Sequence, residues 1–311
     1  MGSDLAQPVP GTDYSTRLAA GFRVLVVLCF GLIVLGALVR VHGAGLACPD
    51  WPLCFGRVLP EMNLEVAFEW THRLVAGSVG LCFVALSALA LRRPETRRAS
   101  PLLAVAALLL AIQILLGALT VWKLLAPWTV TAHLLIGNSF AATLLLAALA
   151  RGDAGAPARR AALAPSARRA TLLAAVLLVL QITLGGLVAS RYAGLACPEW
   201  PTCREGVWFP TWEGPVGLQL LHRANGYALV ASLVAATIAA RRAPALRRAT
   251  RLALLLGVAQ VGVGVANVLL ALPVEVTGLH SALAVGLVLS ITWAGREVCL
   301  AHPVPTAAAR A

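Results

Sequence analysis

The chain has 311 residues, of which 59% are apolar and only 12% charged. With a mean hydropathy of +0.84, this excludes an ordinary soluble domain, which would carry about twice that charge. The net charge of +12 gathers in a few short segments and reads as a topology signal; nucleic acid is not an expected partner.

Residues 1–21 form a polar tail without the pattern of a cleavable signal. Eight apolar stretches of roughly 20 residues, the length of a spanning helix, then follow. They run over 22–41, 66–91, 101–121, 130–150, 170–189, 215–240, 251–270 and 275–300. Arginines collect after every second stretch: Arg92, Arg93, Arg97 and Arg98, then Arg151, Arg159, Arg160, Arg168 and Arg169, then Arg241, Arg242, Arg247, Arg248 and Arg251. The opposite loops carry more acid than base. Because positive loops resist translocation, these clusters and both termini are expected in the cytoplasm, with the opposite loops outside and membrane lipid as the surroundings.

The chain repeats itself. Gly36-Ala-Leu-Val-Arg-Val-His-Gly-Ala-Gly-Leu-Ala-Cys-Pro-Asp-Trp-Pro-Leu-Cys54 returns as Gly185-Gly-Leu-Val-Ala-Ser-Arg-Tyr-Ala-Gly-Leu-Ala-Cys-Pro-Glu-Trp-Pro-Thr-Cys203. The offsets are 149 from Cys48 to Cys197, 150 from His72 to His222 and 147 from His133 to His280, so half the protein is duplicated. Four spans per half make the copies parallel. The expected fold is an all-α integral membrane protein whose eight transmembrane helices form two parallel, pseudo-twofold-related four-helix bundles. The halves are 22–150 and 170–300, joined by an Arg-, Ala-, Gly- and Pro-rich linker over 151–169 and followed by a tail over 301–311. A weaker repeat puts Gln113, Gln181 and Gln260 four residues before Gly117, Gly185 and Gly264, with Leu32 before Gly36. Close helix packing with a bridging amide is the first reading of that pattern, and cofactor contact the second.

His72, His133, His222 and His280 lie three to seven residues inside the outer ends of the even-numbered spans. Ionisable groups in a membrane are costly and face the interior with a partner. Zinc would want four ligands, often clustered in sequence; two imidazoles on separate helices of an apolar bundle suit the axial positions of a haem iron. One bis-histidine haem site per half is expected. His72 and His222 each precede an arginine, and Arg73 and Arg223 are candidate propionate contacts or snorkelling interfacial cations. Glu69 lies three residues before His72, on the same helical face, where the other half has Gln219. That divergence points to proton or electrophile chemistry in the first half and a fixed cofactor in the second, unless Glu69 simply meets solvent at the membrane edge. Cys48 with Cys54, and Cys197 with Cys203, lie in loops expected outside, where a disulfide is favoured over a metal site. Cys29, Cys82 and Cys299 are read as packing residues within spans.

Eight spans in two homologous halves, with Glu69-Trp-Thr-His72-Arg73, His133, His222-Arg223, His280 and the paired loop cysteines, resemble the haem A synthase family of the CtaA/Cox15 type over residues 20–300. The resemblance implies an oxidoreductase acting on a CH group, which oxidises the C8 methyl of haem O to a formyl group to make haem A for terminal oxidases. It implies that His72 and His133 bind the substrate haem with Glu69 as the catalytic carboxylate, and that His222 and His280 hold a cofactor haem b. It likens Cys48–Cys54 to a loop disulfide tied to activity. Haem O synthase is the pathway partner implied; no motif identifies the electron donor. Two other readings stand beside it: a dihaem b-type electron-transfer cytochrome, for which Glu69 against Gln219 has no use, and a transporter or haem-delivery protein, which predicts a polar site at the midplane.

Overall fold

The computed structural model describes residues 12–152 and 163–301. Its eight long helices are α1 (Thr12–Val41), α2 (Leu64–Leu91), α3 (Ser100–Trp122), α4 (Pro127–Gly152), α5 (Pro165–Ser190), α6 (Gly214–Ala239), α7 (Pro244–Leu269) and α8 (Val274–Leu300). All eight are long and apolar enough to cross a membrane, and among the described residues no strand forms, though isolated bridges such as Cys54–Arg57 and Arg204–Val207 do. In a bilayer the backbone must satisfy its own hydrogen bonds, which helices do without neighbours.

The eight expected spans all exist, but hydropathy misplaced some ends. α1 is already helical at Thr12, ahead of 22, and α7 begins at Pro244 rather than 251, because a helix can continue past the apolar stretch when arginine stems lie along it, and in α7 proline suits the first turn. Asn63 caps α2, its side chain accepting from the Val66 N–H at 2.8 Å. Arg92–Arg98 do not form an open loop: residues Pro94–Ala99 make a short 3-10 helix. Nor is Arg151 a loop cation. It lies in the last turn of α4, 3% exposed, with its guanidinium 4.7 Å from the Phe22 ring centroid. Arg159, Arg160, His302 and most of the first tail and of the linker lie outside the described residues.

Within the first half α1 packs on α2 and α4, and α3 on α4, while α2 and α3 scarcely meet. Within the second half α5 packs on α6 and α8, α7 on α8, and here α6 also packs on α7. The halves join through α1–α8, α4–α5 and α4–α8. Apolar cores fill the ends remote from the cysteine loops. Phe22, Leu25, Phe83, Phe140 and Leu144 make one, with Phe83 and Phe140 edge-on at 5.4 Å, and Leu178, Leu229, Leu233, Leu287 and Ile291 make another. The histidines occupy the other end. Of the three free cysteines, Cys29 is buried as a packing residue should be, whereas Cys82 and Cys299 are exposed.

At the cysteine end the turns α3–α4 and α7–α8 share one geometry. Leu124 and Leu125, like Ala271 and Leu272, take positive φ. The N–H of Leu125 reaches the Thr120 carbonyl at 2.8 Å and that of Leu272 the Asn267 carbonyl at 2.7 Å, the six-residue closure that satisfies the last carbonyls of a helix. The turned leucines then cover Gly45 and Gly194, where a Cβ would lie 3.3 Å and 3.0 Å from them.

Candidate functional site

Each of the four histidines sits beside a glycine of the preceding helix. A Cβ at Gly36, Gly117, Gly185 or Gly264 would lie 3.0, 3.3, 3.2 or 3.2 Å from Cε1 of His72, His133, His222 or His280. The sequence shows the Gln–Gly spacing but not its partner; the structure shows that the small residue makes room for an imidazole. The glutamine four residues earlier lies one turn deeper. Gln113 donates its amide to His133 Nε2 at 3.2 Å, and Gln181 donates to His222 Nδ1 at 3.2 Å while accepting from Asn225 at 2.7 Å. Gln260 and Leu32 occupy the same register, but Gln260 Oε1 is buried without a partner.

His72 and His222 lie eight residues into α2 and α6, and His133 and His280 six into α4 and α8, about 12 Å and 9 Å along the axis at 1.5 Å per residue. They are therefore a little deeper than hydropathy suggests. His72 lies within electrostatic reach of His133, and His280 of His222. Nδ1 of His72, His133 and His280 is buried without a hydrogen bond, which is expensive in an apolar bundle. Among the described residues no group of three or more His, Cys, Asp or Glu gathers as a bare metal ion would require. Two imidazoles in the first bundle and one in the second keep a buried nitrogen without a partner, and such a pair per bundle fits a ligand that brings its own equatorial donors, as a haem does. A cavity of about 530 Å³ lined by Leu163, Ser166, Ile238 and Arg242 lies at the opposite end of the helices and reaches none of the histidines.

Glu69 does not meet solvent: it is 4% exposed. One carboxylate oxygen accepts from the Cys48 N–H at 2.8 Å and the other is ion-paired with Arg73, one helical turn on. Arg73 also donates to the carbonyls of Asp50 (2.7 Å), Leu53 (2.6 Å) and Cys48 (3.2 Å). Its counterpart Arg223 donates to the carbonyls of Thr202 (3.0 Å) and Cys197 (2.7 Å), and Gln219 donates to the Gly194 carbonyl at 3.2 Å. Both arginines are thus latches that hold the cysteine loops over the helix ends. The Glu69-x3-Arg73 spacing was the available signal for this role.

Both expected loop pairs are disulfide-bonded, Cys48–Cys54 and Cys197–Cys203, and all four sulfurs are buried. A carboxylate closes each loop tip. Asp50 accepts from the N–H groups of Phe55 (2.6 Å) and Gly56 (2.7 Å), and these bonds, led by that of Gly56, hold it below the usual carboxylate range. Glu199 accepts from the Thr202 hydroxyl (2.7 Å) and the N–H groups of Gly206 (3.1 Å) and Glu205 (2.8 Å), with the same consequence. Gly56 and Gly206 have φ of 68° and 73°, a conformation glycine adopts without steric cost. The sequence reading overlooked both tips, although Asp50 and Glu199 occupy matching places in the repeat.

The COX15-CtaA family model, described as cytochrome oxidase assembly protein, matches residues 22–67 and 61–292. The chain belongs to this family. Among similar proteins is the haem A synthase of Shewanella oneidensis, 30% identical over 86% of this chain and 93% of the relative. That of Shouchella clausii is 32% identical over the same shares, and that of Rhizorhabdus wittichii is 27% identical over 94% of this chain and 97% of its own length. The match therefore takes in both halves.

Proposed function

We propose that the protein is a haem A synthase, an oxidoreductase that converts the C8 methyl of haem O to the formyl group of haem A for terminal oxidases. The reading rests on the family and its full-length haem A synthase relatives. The observation that carries it to particular residues is the repeated histidine–glycine seat with a carboxylate beside only one of its copies.

In this reading the first half binds substrate haem through His72 and His133, and the second holds a haem b through His222 and His280. The sparse packing of α2 on α3, against the closely packed α6 and α7, supports that division: a substrate exchanges with the membrane, whereas a cofactor stays. Haem b, when bound, supplies one-electron transfer. Glu69 meets two donors, Arg73 and the Cys48 N–H, so its carboxylate serves as an acceptor that stabilises positive character near the reacting methyl or takes a proton at its oxygen. Arg73, Arg223 and the two disulfides hold the loops that cover the histidine end and exclude water. The two halves form parallel bundles about a pseudo-twofold axis along the membrane normal, bounded as the repeat bounds them. The arginine-rich segments and the termini face the cytoplasm and the cysteine loops face outward across a bacterial plasma membrane, as the positive-inside rule requires. Haem O synthase supplies the substrate.

The test is to purify the protein from cells supplied with haem O, extract the haems and identify them by mass. Haem A that vanishes in Glu69→Ala while haem b remains supports the proposal. Haem b alone under every condition, with no haem O or haem A bound, contradicts it.

A further inference from the structure

Arg40 stands within the cysteine-end half of α1 and is partly buried. No carboxylate among the described residues pairs with it. A guanidinium in a membrane span is costly and calls for an anion. Other arginines at this end have partners or stand in solvent: Arg73 and Arg223 spend donors on the loops, Arg57 pairs with Glu61, and Arg191 is exposed.

The position of Arg40 is also asymmetric. Gly36 matches Gly185, Leu38-Val39 match Leu187-Val188 and Gly45 matches Gly194, but Arg40 is replaced by Ala189, and the second half has its arginine two residues on, at Arg191. α1 reaches across to α8 of the other half. Leu38, two residues before Arg40, lies 3.3 Å from where a Cβ of Gly278 would stand, two residues before His280, so α1 and α8 meet at the level of Arg40 and His280. The electrostatic neighbours of Arg40 include His280. The first half thus extends an unpaired cation toward the second-half histidine pair.

We infer that Arg40 is the carboxylate-binding residue of the second-half haem site, taking a haem propionate across the seam between the halves. The inference rests on the reading that His222 and His280 hold a haem. A haem carries two propionates, and a guanidinium binds a carboxylate in a planar, bidentate manner that an ammonium does not reproduce. Arg73 and Arg223 spend donors on the loops, Arg191 and Lys123 are exposed, and Arg40 is the partly buried cation within a span at this end. The second half then depends on the first for its cofactor, and the charge of Arg40 favours the reduced, less positive iron.

The full chain is purified as wild type, Arg40→Gln, Arg40→Lys and His280→Ala. The haem b potential is titrated, and haem transfer to apomyoglobin is timed. Arg40→Gln retains haem b but shifts its oxidised-to-reduced ratio at fixed potential about tenfold toward oxidised, 59 mV for one electron, and loses haem about tenfold faster. Arg40→Lys keeps the potential near wild type but releases haem faster than wild type, because the bidentate contact is gone. Wild-type potential and release in Arg40→Gln overturn the inference, as does a change confined to bound haem O. If only the lysine variant folds, wild-type release from it overturns the bidentate contact. Haem b that persists in His280→Ala defeats the underlying ligand reading instead.

Discussion

Glu69 holds a loop and stands beside a histidine, and substituting it separates the two roles. Its carboxylate accepts from the Cys48 N–H at 2.8 Å and from Arg73, both with little exposure to water. Glu69→Ala removes two charge-assisted bonds and leaves the Cys48 N–H without an acceptor; Arg73 keeps its three loop carbonyls. A bond to a charged group contributes about 1.5–3 kcal/mol and an orphaned buried donor costs about 1–3 kcal/mol. Since Arg73 stays satisfied, the net loss is about 3 kcal/mol, the lower end for breaking a buried ion pair. Gln219→Ala loses one neutral bond at 3.2 Å, about 1 kcal/mol. Glu69→Gln keeps an oxygen for Cys48, as Gln219 keeps a loop bond in the other half, and costs about 1–2 kcal/mol. Stability is read by reversible unfolding in mixed detergent, and function by haem A yield. Glu69→Gln is expected to be nearly as stable as wild type yet to lose about 100-fold or more in haem A formation, the scale of a missing acid–base group. If Glu69→Gln makes haem A at the wild-type rate, or if yield in the series merely follows stability, Glu69 is a structural latch and the catalytic reasoning fails.

Replacing Gly185 or Gly264 by valine drives a methyl-bearing carbon into His222 or His280 and should reduce haem b content about tenfold or more, while Gly36→Val or Gly117→Val should spare it; pyridine haemochrome spectra of the four variants decide this. Arg73→Ala and Arg223→Ala should retain haem but speed reduction of the adjacent disulfide by dithiothreitol, and haem loss without faster reduction would restore the propionate reading of these arginines. The loop tips carry a pH dependence. Asp50 and Glu199 are held below their ordinary values, so the order they confer is present above those values and is lost as pH falls through the folded ones. Thiol capture after phosphine reduction, which proceeds in acid, should therefore accelerate below about pH 4 and become insensitive to pH in Asp50→Asn with Glu199→Gln.

Much of the fold was legible because a bilayer leaves few solutions: eight apolar runs had to be eight helices, and the repeat told which loops correspond. Helix ends were less legible, since hydropathy reports the apolar stretch and not the further turns that α1 and α7 make beside their arginines. The histidines could be read as pairs because both halves carry them at matching offsets. Their glycine seats could not, because Gln-x3-Gly fixes a face of one helix and says nothing of how the next is rotated. Arg73 and Arg223 show the same limit. Charge and depth permit a ligand, a lipid or a loop, and only the folded chain shows that loop carbonyls take some of their donors. The open contact between α2 and α3 has no sequence signature in a single chain, since it depends on how two apolar surfaces meet.

The central claim is that two copies of one bundle do different work, the first on an exchanging substrate and the second around a fixed haem b. Haem composition of the four single histidine-to-alanine variants, measured after purification from cells making haem O, tests it most directly. His222→Ala and His280→Ala should lose haem b, while His72→Ala and His133→Ala should keep haem b and lose haem O and haem A. Loss of haem b from the first-half variants with its retention in the second-half ones would contradict the account.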